Sequence, residues 1–192
     1  MKSGILALQG DFALHKKVLD RLGYENRYIR QPSDLESIDS LILPGGESSA
    51  IRILLQLSGL LKPLQELIKS GLPVFGTCAG AILLCSGKEE RKGNLADLPV
   101  LLERNGYGSQ ISSFSEEISG CDLLSTRKFP GTFIRAPRIK GFDANTIKIL
   151  GELKNHEPVL IQQGKILCAT FHPEFEKGCD FLFKYFLRGG VD

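Results

Sequence analysis

Short apolar runs alternate with longer segments of helical periodicity along the first half of the chain. The apolar runs predict four strands, at residues 4–9, 25–30, 40–46 and 72–77. The helical segments lie at residues 12–23, at 49–71 with interruptions near Gly59 and Pro63, and at 79–87. Strands that alternate with helices form right-handed crossovers and a sheet that is covered on both faces. We therefore expect an α/β fold with three layers and a mainly parallel sheet.

The second half of the chain is less regular. Residues 88–157 have weaker patterning and many turn residues, which predicts extra strands and loops. Residues 158–175 predict a strand, a turn and another strand, and residues 175–189 predict a closing amphipathic helix. Because no internal repeat or linker divides the sequence, we expect a single domain over residues 1–192.

Composition narrows the class of function. A net charge of +2 and the lack of a like-charged tail give no electrostatic reason to expect nucleic acid or a membrane as partner. The first apolar run ends too soon for a secretory signal or a spanning helix, so we expect a cytoplasmic protein. The five cysteines are widely spaced and form no C-x-x-C pair, which argues against a disulfide framework and a zinc site.

Three polar or glycine-rich segments follow predicted strands. They are PGGESS at 44–49, GTCAG at 76–80 and FHPEF at 171–175. In an open parallel sheet, ligands bind at the carboxyl ends of the strands. We therefore expect these three segments to meet at one edge of the sheet and to form a site there.

The GTCAG segment has the G-x-C-x-G form of a tight turn between a strand and a helix. Such a turn exposes the side chain of Cys78 and directs the next backbone N–H group, from Ala79, towards the reacting centre. The helix N-terminus also favours a thiolate. The alternative is that the two glycines only allow close packing and that Cys78, like Cys85, is a core residue.

The FHPEF segment adds a base and an acid. Proline favours an extended residue before it, and residues two apart in an extended chain project to the same side, so His172 and Glu174 can face the site together. With Cys78 they form a nucleophile–base–acid triad. The alternative for His172 is a structural histidine bonded to the backbone. We expect His15, in the first helix, at the surface.

The PGGESS segment supplies a second glycine turn. The backbone N–H of Gly46 is a candidate oxyanion donor beside that of Ala79. The same segment is also compatible with an ordinary strand-to-helix turn in which Ser48 or Ser49 is the N-cap.

Together, LILPGGESS, FGTCAGAILL and FHPE closely resemble class I glutamine amidotransferases. More narrowly, ILALQGDFALH, LLERNGYGSQISSF and TFIRAP resemble the family of glutaminase subunits of pyridoxal 5'-phosphate synthases. The resemblance extends from the first strand to the last helix. It departs at QGDFALH, where relatives often carry QGAVREH, and at Ser109, where many have arginine. The resemblance implies a flavodoxin-like class I glutamine amidotransferase fold.

The resemblance also implies an activity and roles for individual residues. The activity is hydrolysis of L-glutamine to glutamate and ammonia, with Cys78 as nucleophile, His172 as acid and base, and Glu174 orienting His172. The implied glutamine pocket consists of Gly46, Glu47, Ser48, Arg104, Ile134 and Arg135. Which arginine meets the substrate and which braces the loop stays open.

The implied partner is the (β/α)8-barrel subunit of pyridoxal 5'-phosphate synthase, in a hetero-oligomeric complex that uses the ammonia. Gln9 is a candidate partner-responsive residue, and neither a cofactor nor a metal is expected. Three alternatives remain at this point. They are a glutaminase serving imidazole glycerol phosphate synthesis, a Cys–His–Glu enzyme of the deglycase or protease type, and a noncatalytic flavodoxin-like module.

Overall fold

A computed structural model describes residues 1–86, 93–108 and 113–189, so Ser109 lies outside the described residues. The helices within these ranges are α1 (Phe12–Arg21), α2 (Ser48–Leu57), α3 (Leu61–Lys69), α4 (Ala79–Leu84) and α5 (Asp180–Leu187). The strands are β1 (Lys2–Leu6), β2 (Glu25–Ile29), β3 (Ser40–Leu43), β4 (Val74–Thr77), β5 (Val100–Glu103), β6 (Ser113–Gly120), β7 (Lys128–Ile134), β8 (Arg138–Phe142), β9 (Lys148–Glu152), β10 (Pro158–Gln163) and β11 (Ile166–Ala169). No helix in the described part has the length and apolar character needed to cross a bilayer.

One large sheet organises the fold, with strand order β2-β1-β3-β4-β11-β10-β9-β6-β7. Five neighbouring strands are parallel to one another, namely β2, β1, β3, β4 and β11. The sheet continues from β11 with antiparallel pairing through β10, β9, β6 and β7. The change of direction occurs at β10 and β11, because the short turn that joins them permits only an antiparallel pair. Strands β5 and β8 form a separate antiparallel pair. The predicted α/β class is confirmed, and the irregular middle of the chain supplies β6, β7 and β9 of the antiparallel extension.

Two apolar layers enclose the sheet. Along β3, Leu41 and Leu43 face the layer that includes α2, α3 and α4, whereas Ile42 faces the layer that includes α1 and α5. On the second face, the ring of Phe75 lies 5.6 Å from the rings of both Phe183 and Phe186. This alternation along a buried strand produces the three-layer arrangement that the sequence predicts.

The helical segment predicted at 49–71, with interruptions near Gly59 and Pro63, forms two helices. The break falls at Gly59, which has a φ of +73°, between the end of α2 and the start of α3. Pro63 interrupts nothing, because it lies in the first turn of α3, where a backbone N–H has no intrahelical partner. The final helix begins at Asp180 rather than at 175, since short 3-10 turns precede it.

Helix α4 lies unusually close to β3. A Cβ atom on Gly80 would lie 2.0 Å from the carbonyl oxygen of Leu43, well inside contact distance. Because α4 carries the segment directly after Cys78, this close approach positions the candidate nucleophile against the sheet.

We expect Gly80→Ala to destabilise the protein by about 1–3 kcal/mol or more, because the new methyl group overlaps backbone that cannot rotate away. Gly141→Ala is the matched control, since a Cβ there would meet nothing within 4 Å. Urea denaturation of both variants measures the free energy of unfolding. Equal stability of the two variants would contradict the close approach.

Candidate active site

Cys78 occupies the strained turn that the GTCAG pattern predicts. It lies between β4 and α4 with φ of 49° and ψ of −105°, a backbone conformation that residues other than glycine rarely adopt. Its backbone N–H donates to the carbonyl of Ala169 at 2.8 Å, and its Sγ lies 3.8 Å from the carbonyl oxygen of Ile134. Cys85, by contrast, lies beyond the end of α4 in the apolar core. The two cysteines are both buried, but Cys78 lies at a cavity wall whereas Cys85 packs in the core.

His172 and Glu174 form a buried pair beside Cys78. The His172 Nδ1 atom lies 2.7 Å from Glu174 Oε1, and the backbone N–H of His172 donates to the carbonyl of Thr132 at 2.8 Å. The expected extended conformation is wrong, because residues 173–175 form a 3-10 turn. Pro173 sits at the first position of that turn, which suits its fixed φ, and the turn still brings both side chains together.

Opposing effects set the protonation of this pair. Burial by itself lowers the pKa of His172, but hydrogen bonds with Cys78 and Glu174 outweigh it and raise that pKa to about 10. For Glu174 the effect of burial is to raise the pKa, but the contacts with His15 and then with His172 outweigh it and lower this pKa well below its usual range. The pair is therefore an imidazolium facing a carboxylate at neutral pH.

His15 is not at the surface, contrary to expectation. It is 0% exposed, and its Nε2 atom lies 3.1 Å from Thr77 Oγ1 and 3.5 Å from Glu174 Oε2. The signal was present in the sequence: His15 lies three and four residues before Val18 and Leu19, which share the buried face of α1. A polar residue on an apolar helix face indicates a specific polar partner, which is here the acid of the pair.

Asp11 is a second residue that the motif reasoning missed. Its Oδ2 atom lies 3.8 Å from His172 Nδ1. Donor atoms of Asp11, His172 and Glu174 lie within 4.8 Å of one another, so these side chains are close enough to hold a metal ion. The hydrogen bond between His172 and Glu174 explains why these two side chains lie close together without a metal ion. The expectation that the protein holds no metal stays a prediction.

A cavity of about 460 Å³ opens above Cys78 and His172. Every residue of the implied glutamine pocket and both candidate oxyanion donors line it, namely Gly46, Glu47, Ser48, Ala79, Arg104, Ile134 and Arg135. Asp11, Ile82, Asn105 and Gly108 complete the lining. The predicted convergence of three strand ends at one edge of the sheet is therefore present.

The polar groups at the wall of this cavity differ in whether they have a hydrogen-bond partner. Ser48 is the first residue of α2 and Glu47 is the N-cap without a side-chain bond, so neither Ser48 nor Ser49 caps the helix. The buried Ser48 Oγ has no hydrogen-bond partner among the described residues. A polar atom left in this state at the wall of a cavity is suited to a polar ligand.

The two arginines have different surroundings. Arg104 donates to Ser49 Oγ at 3.1 Å and pairs with Glu47 Oε1 at 3.4 Å, so it braces the start of α2. Arg135 is exposed, has a φ of +45°, and makes no ion pair within residues 1–86, 93–108 and 113–189. Of the two arginines, Arg135 is therefore the one whose guanidinium has no carboxylate partner among the described residues.

Gln9 contacts the second glycine turn directly. Its Oε1 atom accepts a hydrogen bond from the backbone N–H of Glu47 at 2.8 Å. A Cβ on Gly46 would lie 2.5 Å from the same oxygen. The end of β1 is therefore coupled to the segment that carries a candidate oxyanion donor.

Residues 5–192 match the model of the SNO glutamine amidotransferase family. The chain belongs to this family. It is 42% identical over 193 residues to the pyridoxal 5'-phosphate synthase subunit PdxT of Streptococcus pneumoniae, covering 98% of this chain and 97% of that protein. The subunit of the same name from Corynebacterium jeikeium is 38% identical over 188 residues, with coverage of 96% and 94%.

A solved structure described as a glutamine amidotransferase is similar over the whole fold. The TM-score is 0.88 at 39% sequence identity, and the match covers 98% of this chain and 99% of that one. The family resemblance and the fold class predicted from the motifs are both confirmed.

The raised pKa of His172 makes stability depend on pH. Folding takes up a proton at any pH at which the imidazole of His172 is charged only in the folded state. The stabilisation that the charged imidazole gives the folded protein is therefore complete below about pH 6.5. It is lost as the pH rises towards about 10. We expect Glu174→Gln to reduce the fall in unfolding free energy between pH 7 and pH 9, as measured by urea denaturation.

Asp11→Asn is the matched control for that measurement, because Asp11 lies farther from the same nitrogen, at 3.8 Å, and is more exposed. A steep fall that is unchanged in Glu174→Gln would contradict the assignment of the pair.

Proposed function

We propose that this chain is the glutaminase subunit of a pyridoxal 5'-phosphate synthase, with Cys78, His172 and Glu174 as its catalytic triad. The observation that carries the assignment is the strained Cys78 next to the buried His172–Glu174 pair, at the floor of the cavity. The names of the family and of its relatives support the activity and the pathway. A single domain over residues 1–192 is part of the proposal.

The proposed reaction begins when the Cys78 thiolate attacks the side-chain amide carbon of glutamine. Backbone N–H groups of Ala79 and Gly46 stabilise the oxyanion of the tetrahedral intermediate. His172 transfers its proton to the amide nitrogen, the C–N bond breaks, and ammonia leaves a glutamyl thioester on Cys78. His172 then accepts a proton from water, which attacks the thioester and releases glutamate and the thiolate. Glu174 keeps the imidazole oriented throughout and stabilises it while it is charged.

The cavity favours a free amino acid as substrate. Arg135, which has no carboxylate partner in the described part of the chain, is suited to the α-carboxylate of glutamine. The Ser48 Oγ, which has no hydrogen-bond partner in the described part of the chain, is suited to a polar group of glutamine. The carboxylate of Glu47 is suited to the ammonium group of glutamine. Arg104, which is already paired with Glu47, holds the wall of the pocket.

The product explains the need for a partner. Ammonia released at neutral pH becomes mostly ammonium, which is a poor nucleophile, so a synthase must receive it directly. We assign that role to the (β/α)8-barrel synthase subunit in a hetero-oligomeric cytoplasmic complex. The Gln9–Glu47 hydrogen bond supports Gln9 as the partner-responsive residue, because a shift of Gln9 alters the Gly46 segment.

The test uses a diazo ketone analogue of glutamine, which alkylates a glutaminase nucleophile. We expect labelling of Cys78 in the presence of the pyridoxal phosphate synthase subunit, read by peptide mass spectrometry, and none in Cys78→Ala. We also expect glutamate release to rise with this subunit and not with the cyclase subunit of imidazole glycerol phosphate synthase.

Failure of Cys78 to label with the synthase subunit present would overturn the glutaminase assignment. Activation by the cyclase subunit alone would overturn the assigned pathway and leave the triad in place.

A second test separates the arginines. We expect Arg135→Gln to raise KM for glutamine by about 10- to 100-fold, the worth of a hydrogen bond to a charged group, with a smaller change in kcat. Arg104→Gln is the matched variant, and its KM should rise less. Steady-state glutamate release from the complex measures both, and the reverse ranking would assign the α-carboxylate to Arg104.

A further inference from the structure

We infer that His15 is a positioning residue of the active site, which holds Glu174 in place from the side opposite His172. This inference rests on the proposed function for its kinetic test. It assigns a role to a buried side chain that neither the triad motifs nor the cavity includes.

The argument starts from the two oxygens of Glu174. Its side chain is 0% exposed, so each oxygen has lost its contact with water. Oε1 contacts His172 Nδ1 at 2.7 Å, whereas Oε2 has no hydrogen-bond partner among the described residues. The Nε2 atom of His15, at 3.5 Å, is the polar group that faces Oε2. A buried carboxylate needs compensation at both oxygens, and His15 supplies it at the second.

The hydrogen on His15 is best placed at Nε2. The opposite nitrogen, Nδ1, is buried without a partner in the described part of the chain. A hydrogen on Nε2 lies towards Glu174 Oε2 or Thr77 Oγ1, whereas a hydrogen on Nδ1 would be a buried donor without an acceptor among the described residues. The contact is long for a hydrogen bond, and active-site contacts commonly shorten once substrate is bound.

His15 also links two parts of the site. Thr77, which Nε2 approaches at 3.1 Å, is the residue before Cys78 at the end of β4. The ring packs against Phe183 of α5, with 5.8 Å between ring centroids. His15 is thereby fixed by α1 and α5 while it contacts both the strand of the nucleophile and the acid of the base. A change at His15 is expected to tilt Glu174 and, through it, His172.

The experiment compares three substitutions in the complex with the synthase subunit. Glutamine can place its amide N–H near the position of Nε2, whereas leucine has no donor and asparagine is too short to reach. We expect His15→Leu and His15→Asn to lower kcat by about 10- to 100-fold, the usual effect of removing an orienting partner, with KM for glutamine within about twofold. We expect His15→Gln to restore most of kcat. Urea denaturation identifies any variant that does not fold, and His15→Asn replaces His15→Leu in that case.

His156→Asn is the matched control, because His156 also faces a glutamate at 3.5 Å but is 89% exposed and lies outside the cavity. Its kinetics should equal those of the unchanged protein.

A second readout does not depend on glutaminase activity. Alkylation of Cys78 by iodoacetamide at pH 7, read by peptide mass spectrometry, reports the reactivity of this sulfur beside the His172–Glu174 pair. It should slow in His15→Leu and recover in His15→Gln. Folded His15→Leu and His15→Asn with unchanged kcat and alkylation would overturn the inference. So would a His15→Gln variant as impaired as the other two. Absence of glutamate release by the unchanged complex would instead refute the proposed function, and alkylation would still test His15.

Discussion

The buried contact between His172 and Glu174 is the interaction on which the rest of the site depends. Removing a carboxylate and an imidazolium from water is costly, and their attraction offsets that cost only with good geometry and further polar partners. The 2.7 Å separation provides the geometry, and Cys78 and His15 provide the partners on either side. A row of polar groups in contact therefore crosses an otherwise apolar layer, with the His172–Glu174 pair at its centre.

Close approaches of the backbone hold this row against the sheet. Gly80 lets α4 pack on the carbonyl of Leu43, and Gly45 leaves room for the imidazole, since a Cβ there would lie 2.4 Å from His172 Cε1. The strain at Cys78 persists because β4 and α4 are fixed on both sides of it. Rigid packing thus places the strained Cys78 beside the His172–Glu174 pair, which is the arrangement that the proposed acyl transfer requires.

The two halves of the sheet contribute different parts of the site. The parallel strands β3, β4 and β11 end at the second glycine turn, Cys78 and the segment of His172, where ligands usually bind in open α/β sheets. The antiparallel extension supplies the wall: β7 provides the carbonyl of Thr132 that holds His172, and it leads into Ile134 and Arg135 of the pocket. The cavity wall therefore combines the glycine turn after the parallel strand β3 with residues from the antiparallel part of the chain.

The sequence by itself determined the α/β class, the triad candidates and the family, because these depend on local periodicity and on short motifs at strand ends. Tertiary structure decided the 3-10 turn at 173–175, the antiparallel extension, the place of Asp11 near His172 and the burial of His15 beside Glu174. These features depend on contacts between residues far apart in the chain. Helical spacing showed that His15 shares a face with Val18 and Leu19, but only the packing of α1 on β4 and α5 gave that face its acidic partner.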